Sequence, residues 1–228
     1  MNYFVTGTDT AVGKTLISCA LLHAFAAQGK RVVGMKPVAA GCNENDQSGE
    51  SELNEDVKQL RAASNILATL GQINPYSFVH PIAPHIAAKK TGIHIEFSRI
   101  LTSYHELAAQ ADVVIVEGVG GFRVPLNDAQ DSADLAVLLG LPVILVVGMR
   151  LGCLNHALLT IRAINECGLI CAGWVANVLD DEMPALTENI EALQQRITTP
   201  LLGLMPHQSH PDARAAASHL NIGLLPGQ

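Results

Sequence analysis

Between Gly7 and Thr15 the chain reads Gly-Thr-Asp-Thr-Ala-Val-Gly-Lys-Thr, a grouping of glycine, lysine and hydroxyl suited to holding a polyphosphate. A tight glycine-bearing loop turns its backbone N–H groups inward, and when it opens into a helix the positive helix N-terminus faces the same spot. Lys14 then reaches the terminal phosphates and the Thr15 hydroxyl sits on Mg²⁺. The usual spacing leaves four residues between the first glycine and the Gly-Lys pair. Here Thr8 stands at that first place and the glycine is Gly7, so the loop is a variant. The apolar run Tyr3 to Thr6 before it, the apolar-periodic stretch Leu16 to Ala27 after it, and Val12 as an anchor supply the strand–loop–helix context that the motif requires.

Three further places carry chemistry. Lys36, in Lys36-Pro37-Val38-Ala39-Ala40-Gly41, ends a predicted strand, where a lysine is well placed to meet an anion. Asp56 opens the next predicted helix and is positioned to swing a carboxylate to a metal, with a role in the helix's first turn as the alternative. Glu117 leaves a buried strand beside Gly118, Val119, Gly120 and Gly121, which suits Mg²⁺ coordination opposite the phosphate loop. The run Gly148 to His156 is a second glycine-bearing loop before a helix. It lacks a lysine like Lys14 and suits a carboxylate better than a polyphosphate.

These residues need a scaffold, and the hydrophobic pattern supplies one. Strands are predicted at 3–6, 31–36, 112–117, 142–147, 170–177 and 201–205, several as near-continuous Val/Ile/Leu runs of the kind covered on both faces. Helical patterns lie near 16–27, 56–69, 96–110, 131–139, 154–167 and 184–197. The alternation predicts an α/β fold, a mostly parallel doubly wound sheet of the P-loop NTPase kind with a variant phosphate loop. In such a sheet the loops after Thr6, Lys36, Glu117, Val147 and Asn177 converge on one site at the carboxyl ends of the strands. No internal repeat or linker argues for a second domain, so residues 1–228 are expected to form a single ATP-dependent domain. The stretch Asn43 to Asp56 holds six acids and no Lys or Arg, and most of it is expected to be a mobile, solvated loop.

Composition narrows the partners. With 228 residues, 49% hydrophobic and 15% charged, the chain has the make-up of an ordinary globular enzyme. No apolar run approaches the ~20 residues that span a bilayer, and no basic leader precedes the first strand, so a cytoplasmic protein is expected. A net charge of −7 disfavours nucleic acid and anionic membrane as partners. The five cysteines, Cys19, Cys42, Cys153, Cys167 and Cys171, show no paired metal spacing and read as reduced, mostly buried thiols.

Taken together, Thr6 to Thr15, Lys36-Pro37-Val38, Asn74-Pro75-Tyr76, Pro84-His85, Glu117 to Gly121, Leu151 to His156 and Gly173 to Asn177 resemble the dethiobiotin synthetase family, in order and through nearly the whole chain. That resemblance implies a homodimer with sites at its interface, acting on 7,8-diaminopelargonic acid, CO₂ and ATP with Mg²⁺ in biotin synthesis. It implies that Lys14 and Lys36 are the catalytic pair, that Thr15, Asp56 and Glu117 hold Mg²⁺, and that Thr10 lies near the diamine. Ala11, Val12, Gly13, Lys14, Thr15 and Leu16, with Gly118, Val119 and Gly120, would contact the nucleotide. Asn177 would read the base, lined on its other side by Pro206, His207 and Gln208. Leu151, Gly152, Cys153 and Asn155 would bind the substrate's distal carboxylate from the partner subunit.

Two positions depart from the family pattern. Ala40 stands where many members carry a serine, and Asn189 where some place a tyrosine hydroxyl on the distal carboxylate. Neither removes a charge that the chemistry needs. The alternative class is a partitioning or switch ATPase on the same fold. Such proteins usually carry an extra lysine early in the phosphate loop, where this chain has Gly7, Thr8 and Asp9.

Overall fold

The chain alternates strand and helix almost throughout. β1 (Asn2–Gly7) leads through the phosphate loop into α1 (Lys14–Ala27), followed by β2 (Val32–Met35), β3 (Val38–Ala40), α2 (Glu55–Ala63), α3 (Leu70–Ile73), β4 (Tyr76–Phe78), α4 (Pro84–Thr91) and α5 (Phe97–Ala108). The second half continues with β5 (Val113–Gly121), α6 (Ser132–Leu139), β6 (Val143–Met149), α7 (Cys153–Glu166), β7 (Cys171–Val178), α8 (Leu186–Gln194), β8 (Leu201–Met205) and α9 (Ala213–Ala216). This computed structural model describes residues 1–42 and 53–227. Most of the acid-rich stretch expected to be a mobile loop, residues 43–52, therefore lies outside the described residues.

Six strands form one sheet in the order β2-β5-β1-β6-β7-β8, and every pairing in it is parallel. The alternating side chains explain why the strands are apolar throughout. Tyr3 and Val5 of β1 pack with Ile17, Leu21 and Phe25 of α1 on one face, while Phe4 packs with the cluster of α5, α6 and α7 residues on the other. Each such fully buried side chain contributes about 1.5–3 kcal/mol relative to exposure, which makes the sheet a rigid platform. β1 lies between β5 and β6, where the winding reverses. That reversal opens the crevice in which sheets of this kind bind ligands.

Several boundaries differ from the sequence reading. The helix expected over 56–69 stops at Ala63. The Ser64 hydroxyl donates to the Leu60 carbonyl at 2.7 Å and accepts from the Gly34 N–H, and the Asn65 Oδ1 accepts from the Val32 N–H at 2.7 Å. These side chains tie the helix end to the edge strand β2 and cover backbone groups that would otherwise be unpaired. The strand expected to end at Glu117 runs on to Gly121, so Glu117 lies within β5 and is wholly buried. The parallel pair β3-β4 is too short to show a period, and it was not anticipated. All five cysteines are unbridged and four are buried.

Candidate active site

The phosphate loop is held from three sides. The Thr8 N–H donates to the Val146 carbonyl at 3.0 Å, tying the loop's start to β6. The Asp9 carboxylate accepts from the Thr10 N–H at 2.7 Å and pairs with the Arg150 guanidinium at 2.5 Å. Val12, buried, packs against Gly148, where a side chain's Cβ would come within 2.8 Å of it. Ala11 and Gly13 both take left-handed backbone at φ 56° and 90°. Such residues in a turn make the inward-facing nest of N–H groups that binds anions.

Lys14 begins α1, and its Nζ donates to the Asp9 carbonyl at 2.9 Å. Burial lowers its pKa to about 8, with the Lys36 ammonium adding to the effect. A polyphosphate would relieve both strains by supplying negative charge.

Beside it lies a cluster of opposite charge. Lys36 Nζ donates to Glu117 Oε1 at 2.6 Å, to Asp56 Oδ2 at 2.8 Å and to the Gly118 carbonyl at 3.2 Å. Burial works against the Lys36 charge, but Glu117 and Asp56 outweigh it and hold its pKa above the usual lysine value. Burial opposes the Asp56 charge too, yet Lys36 brings the net shift downward. Lys36 and Asp56 are thus both ionised at neutral pH.

The Thr15 hydroxyl lies 2.7 Å from Asp56 Oδ1 and 2.9 Å from Glu117 Oε1. A hydroxyl has one hydrogen and can donate to only one of them at a time. Glu117 Oε2, fully buried, has no hydrogen-bond partner among the described residues. Two carboxylates and a hydroxyl with oxygen valence to spare suit a small hard cation, which binds one or two protein carboxylates and completes its shell with phosphate and water. Among the described residues no group of three or more His, Cys, Asp or Glu could hold a metal by itself. The donor set therefore fits Mg²⁺ brought with a nucleotide.

Two asparagines that the sequence reading gave no role position this cluster. The Asn54 side chain accepts from the Asp56 N–H at 3.0 Å, capping α2, and donates to the Ala40 carbonyl at 2.9 Å. Asn74 Nδ2 donates to the Lys36 carbonyl at 2.6 Å and to the Tyr76 carbonyl at 2.9 Å. An asparagine immediately before a helix pattern is a capping signal, so the role of Asn54 was legible. The role of Asn74 depends on the β3-β4 pairing and was not.

These groups face an open cleft of about 750 Å³ lined by Thr10, Ala11, Gly13, Lys14, Thr15, Lys36, Ala40, Asp56, Glu117, Val119 and Gly120. Pro81 to Pro84 and Val124 also line it, residues that the sequence reading does not place at the site. Leu16 follows in α1, and Gly118 meets the site through its carbonyl to Lys36.

The residues expected to line the base lie at or after neighbouring strand ends. Asn177, at the end of β7, pairs in register with Met205, after which Pro206, His207 and Gln208 follow. The His207 Nδ1 lies 2.9 Å from Asp181, and Gln208 Oε1 accepts from the Asp212 N–H. Leu151, Gly152, Cys153 and Asn155 are not among the residues that line the cleft of their own chain, although Arg150 just before them pairs with Asp9. Leu151 is 98% exposed, Gly152 turns the chain into α7 at φ 95°, Cys153 is buried and Asn155 is exposed. Asn189 also lies off this cleft, its amide donating to the Ala185 carbonyl within α8.

Comparison with known proteins bears on the fold and the family. A family model described as an AAA domain matches residues 1–214. Among solved structures, the septum site-determining protein MinD of Pyrococcus horikoshii complexed with Mg-ADP superposes with a TM-score of 0.54 at 15% identity, covering 100% of this chain and 90% of that one. The MinC:MinD cell division complex of Aquifex aeolicus gives 0.53 at 14% identity, covering 91% and 82%. At such identity the likeness is one of fold alone. Sequence relatives are far nearer. The ATP-dependent dethiobiotin synthetase of Nitrosospira multiformis is 57% identical over 98% of this chain and 96% of its own. That of Aromatoleum aromaticum is 55% identical over 96% of each. With identity of this order over nearly its whole length, the chain belongs to the ATP-dependent dethiobiotin synthetase family.

Proposed function

We propose that residues 1–228 work as one synthetase unit in which the cleft between the phosphate loop, Lys36 and Pro81 to Pro84 closes the ureido ring of dethiobiotin. One amine of 7,8-diaminopelargonic acid attacks CO₂ and loses a proton, giving a carbamate. The carbamate oxygen takes the γ-phosphoryl group of ATP, releasing ADP and leaving a carbamic-phosphoric anhydride. The second amine then attacks the carbonyl carbon, closing the ring and expelling inorganic phosphate.

The residues match the charges of these steps. Lys14 and Lys36 disfavour an ammonium next to them, so the attacking amine stays neutral, and they stabilise the carbamate anion that follows. Phosphoryl transfer then needs alignment and charge neutralisation more than covalent help, which Lys14 and the loop N–H groups supply. Thr15, Asp56 and Glu117 would hold Mg²⁺, which when bound neutralises and orients the phosphate oxygens. Thr10 and Ala40 line the cleft and would face the diamine, with water or backbone in place of the hydroxyl that Ala40 lacks.

The distal carboxylate of the diamine is read by Leu151, Gly152, Cys153, Asn155 and Asn189 of a partner subunit. Two features support a homodimer: these residues do not line the cleft of their own chain, and Leu151 would gain cover from a second copy. The expected compartment is the cytoplasm, which the five unbridged cysteines support. No helix among the described residues is long and apolar enough to cross a membrane.

The meeting of two buried lysines with two carboxylates at a phosphate loop carries this reading. A partitioning ATPase would cleave nucleotide without a small substrate. The deciding assay is ADP release with and without the diamine and bicarbonate. Cleavage strictly dependent on both is expected, and equal rates without them would overturn the proposal.

A further inference from the structure

Asn177 is built into the phosphate loop. Its side chain is almost wholly buried, and its Nδ2 donates to the Val12 carbonyl at 2.9 Å across 165 residues of chain. Val12 is itself packed against Gly148. The fit is close: a Cβ on Gly13 would overlap the Asn177 amide, and the φ of 90° at Gly13 excludes ordinary side chains as well. In a planar trans peptide the C=O and the following N–H point in opposite directions. Holding the Val12 carbonyl on Asn177 therefore fixes the Gly13 N–H away from Asn177.

A primary amide has two N–H groups and an oxygen that accepts. One N–H spent on Val12 leaves the second N–H and Oδ1, enough for the donor–acceptor edge of an adenine. We propose that Asn177 is a positioning residue for the phosphate loop as well as a contact to the base, so that one side chain links base recognition to the orientation of the phosphate-binding amides. This rests on the reading of Gly7 to Thr15 as a phosphate cradle.

A ligand with phosphates and no base separates the two roles. Binding of ATP and of sodium tripolyphosphate to the full chain is measured by calorimetry for wild type, Asn177→Ala and Asn177→Asp. Loss of a buried hydrogen bond predicts tripolyphosphate binding about five- to tenfold weaker in both variants, with ATP weakened at least as much. ATP weakened with tripolyphosphate unchanged would overturn the proposal and leave Asn177 a base contact alone. In the ligand-free protein, amide hydrogen exchange over residues 8–15 should be faster in both variants. Exchange as slow as in wild type would also overturn it. Failure of wild type to bind tripolyphosphate would instead overturn the phosphate-loop reading, and the exchange measurement would still decide the brace.

Discussion

Lys36 is the residue whose replacement tests fold and chemistry together. Its side chain is 4% exposed and its ammonium meets Glu117, which is fully buried, at 2.6 Å. Its second partner, Asp56, is 37% exposed at the side chain, so solvent screens that arm and it is discounted here. Lys36→Met keeps the length and apolar stem of the side chain while leaving the Glu117 carboxylate buried without its cation. Breaking a buried ion pair from one side costs about 3–5 kcal/mol. For a chain of this size each kcal/mol moves the melting temperature by about 2–4 °C, so a drop of about 6–20 °C is expected without ligands. The same variant removes a positive charge from the developing transition state, and kcat should fall by about 10²-fold or more. Differential scanning calorimetry and single-turnover ADP release on the same preparation check both effects. Wild-type melting would refute the buried-pair reasoning. Wild-type turnover with lowered melting would make Lys36 a structural counter-ion without a part in the chemistry.

Lys14, whose pKa burial and the Lys36 ammonium lower to about 8, should regain its proton when a polyphosphate arrives. ATP binding is therefore expected to take up a proton at pH 8.5 and almost none at pH 6.5, read from calorimetry in buffers of different ionisation heat, with affinity falling as pH rises above about 8. The sign for stability is the opposite: the unfolded chain, with its lysine near 10.5, holds more protons between about 8 and 10, so this group's contribution to stability rises with pH there. Asn155→Ala should raise the Kd for the diamine by about one to two powers of ten through loss of a hydrogen bond to a charged group, with Mg·ATP affinity nearly unchanged. Mixing Asn155→Ala chains with inactive Lys14→Ala chains should restore some activity, because one composite site then holds neither change. Verified heterodimers without rescue would mean that the carboxylate loop acts within its own subunit or that Asn155 is only a helix-entry residue.

Much of the molecule was legible in the order of its residues. The phosphate loop is local: six residues separate Gly7 from Lys14, and the strand before and helix after announce themselves by their apolar periods. Lys36 and Glu117 were placed at the site because a parallel doubly wound sheet brings the carboxyl ends of its strands together whatever the loops between them do. What no local pattern reveals is which distant groups touch. The Asn177 amide reaches Val12 over 165 residues, from β7 past the intervening β6, and Arg150 reaches Asp9 over 141, from the end of β6 beside β1; both contacts exist only when the sheet is wound. Glu117 was expected at a strand end and lies instead within β5, because the glycines after it continue the strand as far as the Gly7–Gly121 pairing. Residue types and their spacing thus selected the charges and the fold, while the contacts that orient those charges came from packing between segments remote in the chain, where hydrogen bonds form only after the crossovers have brought their partners within about 3 Å.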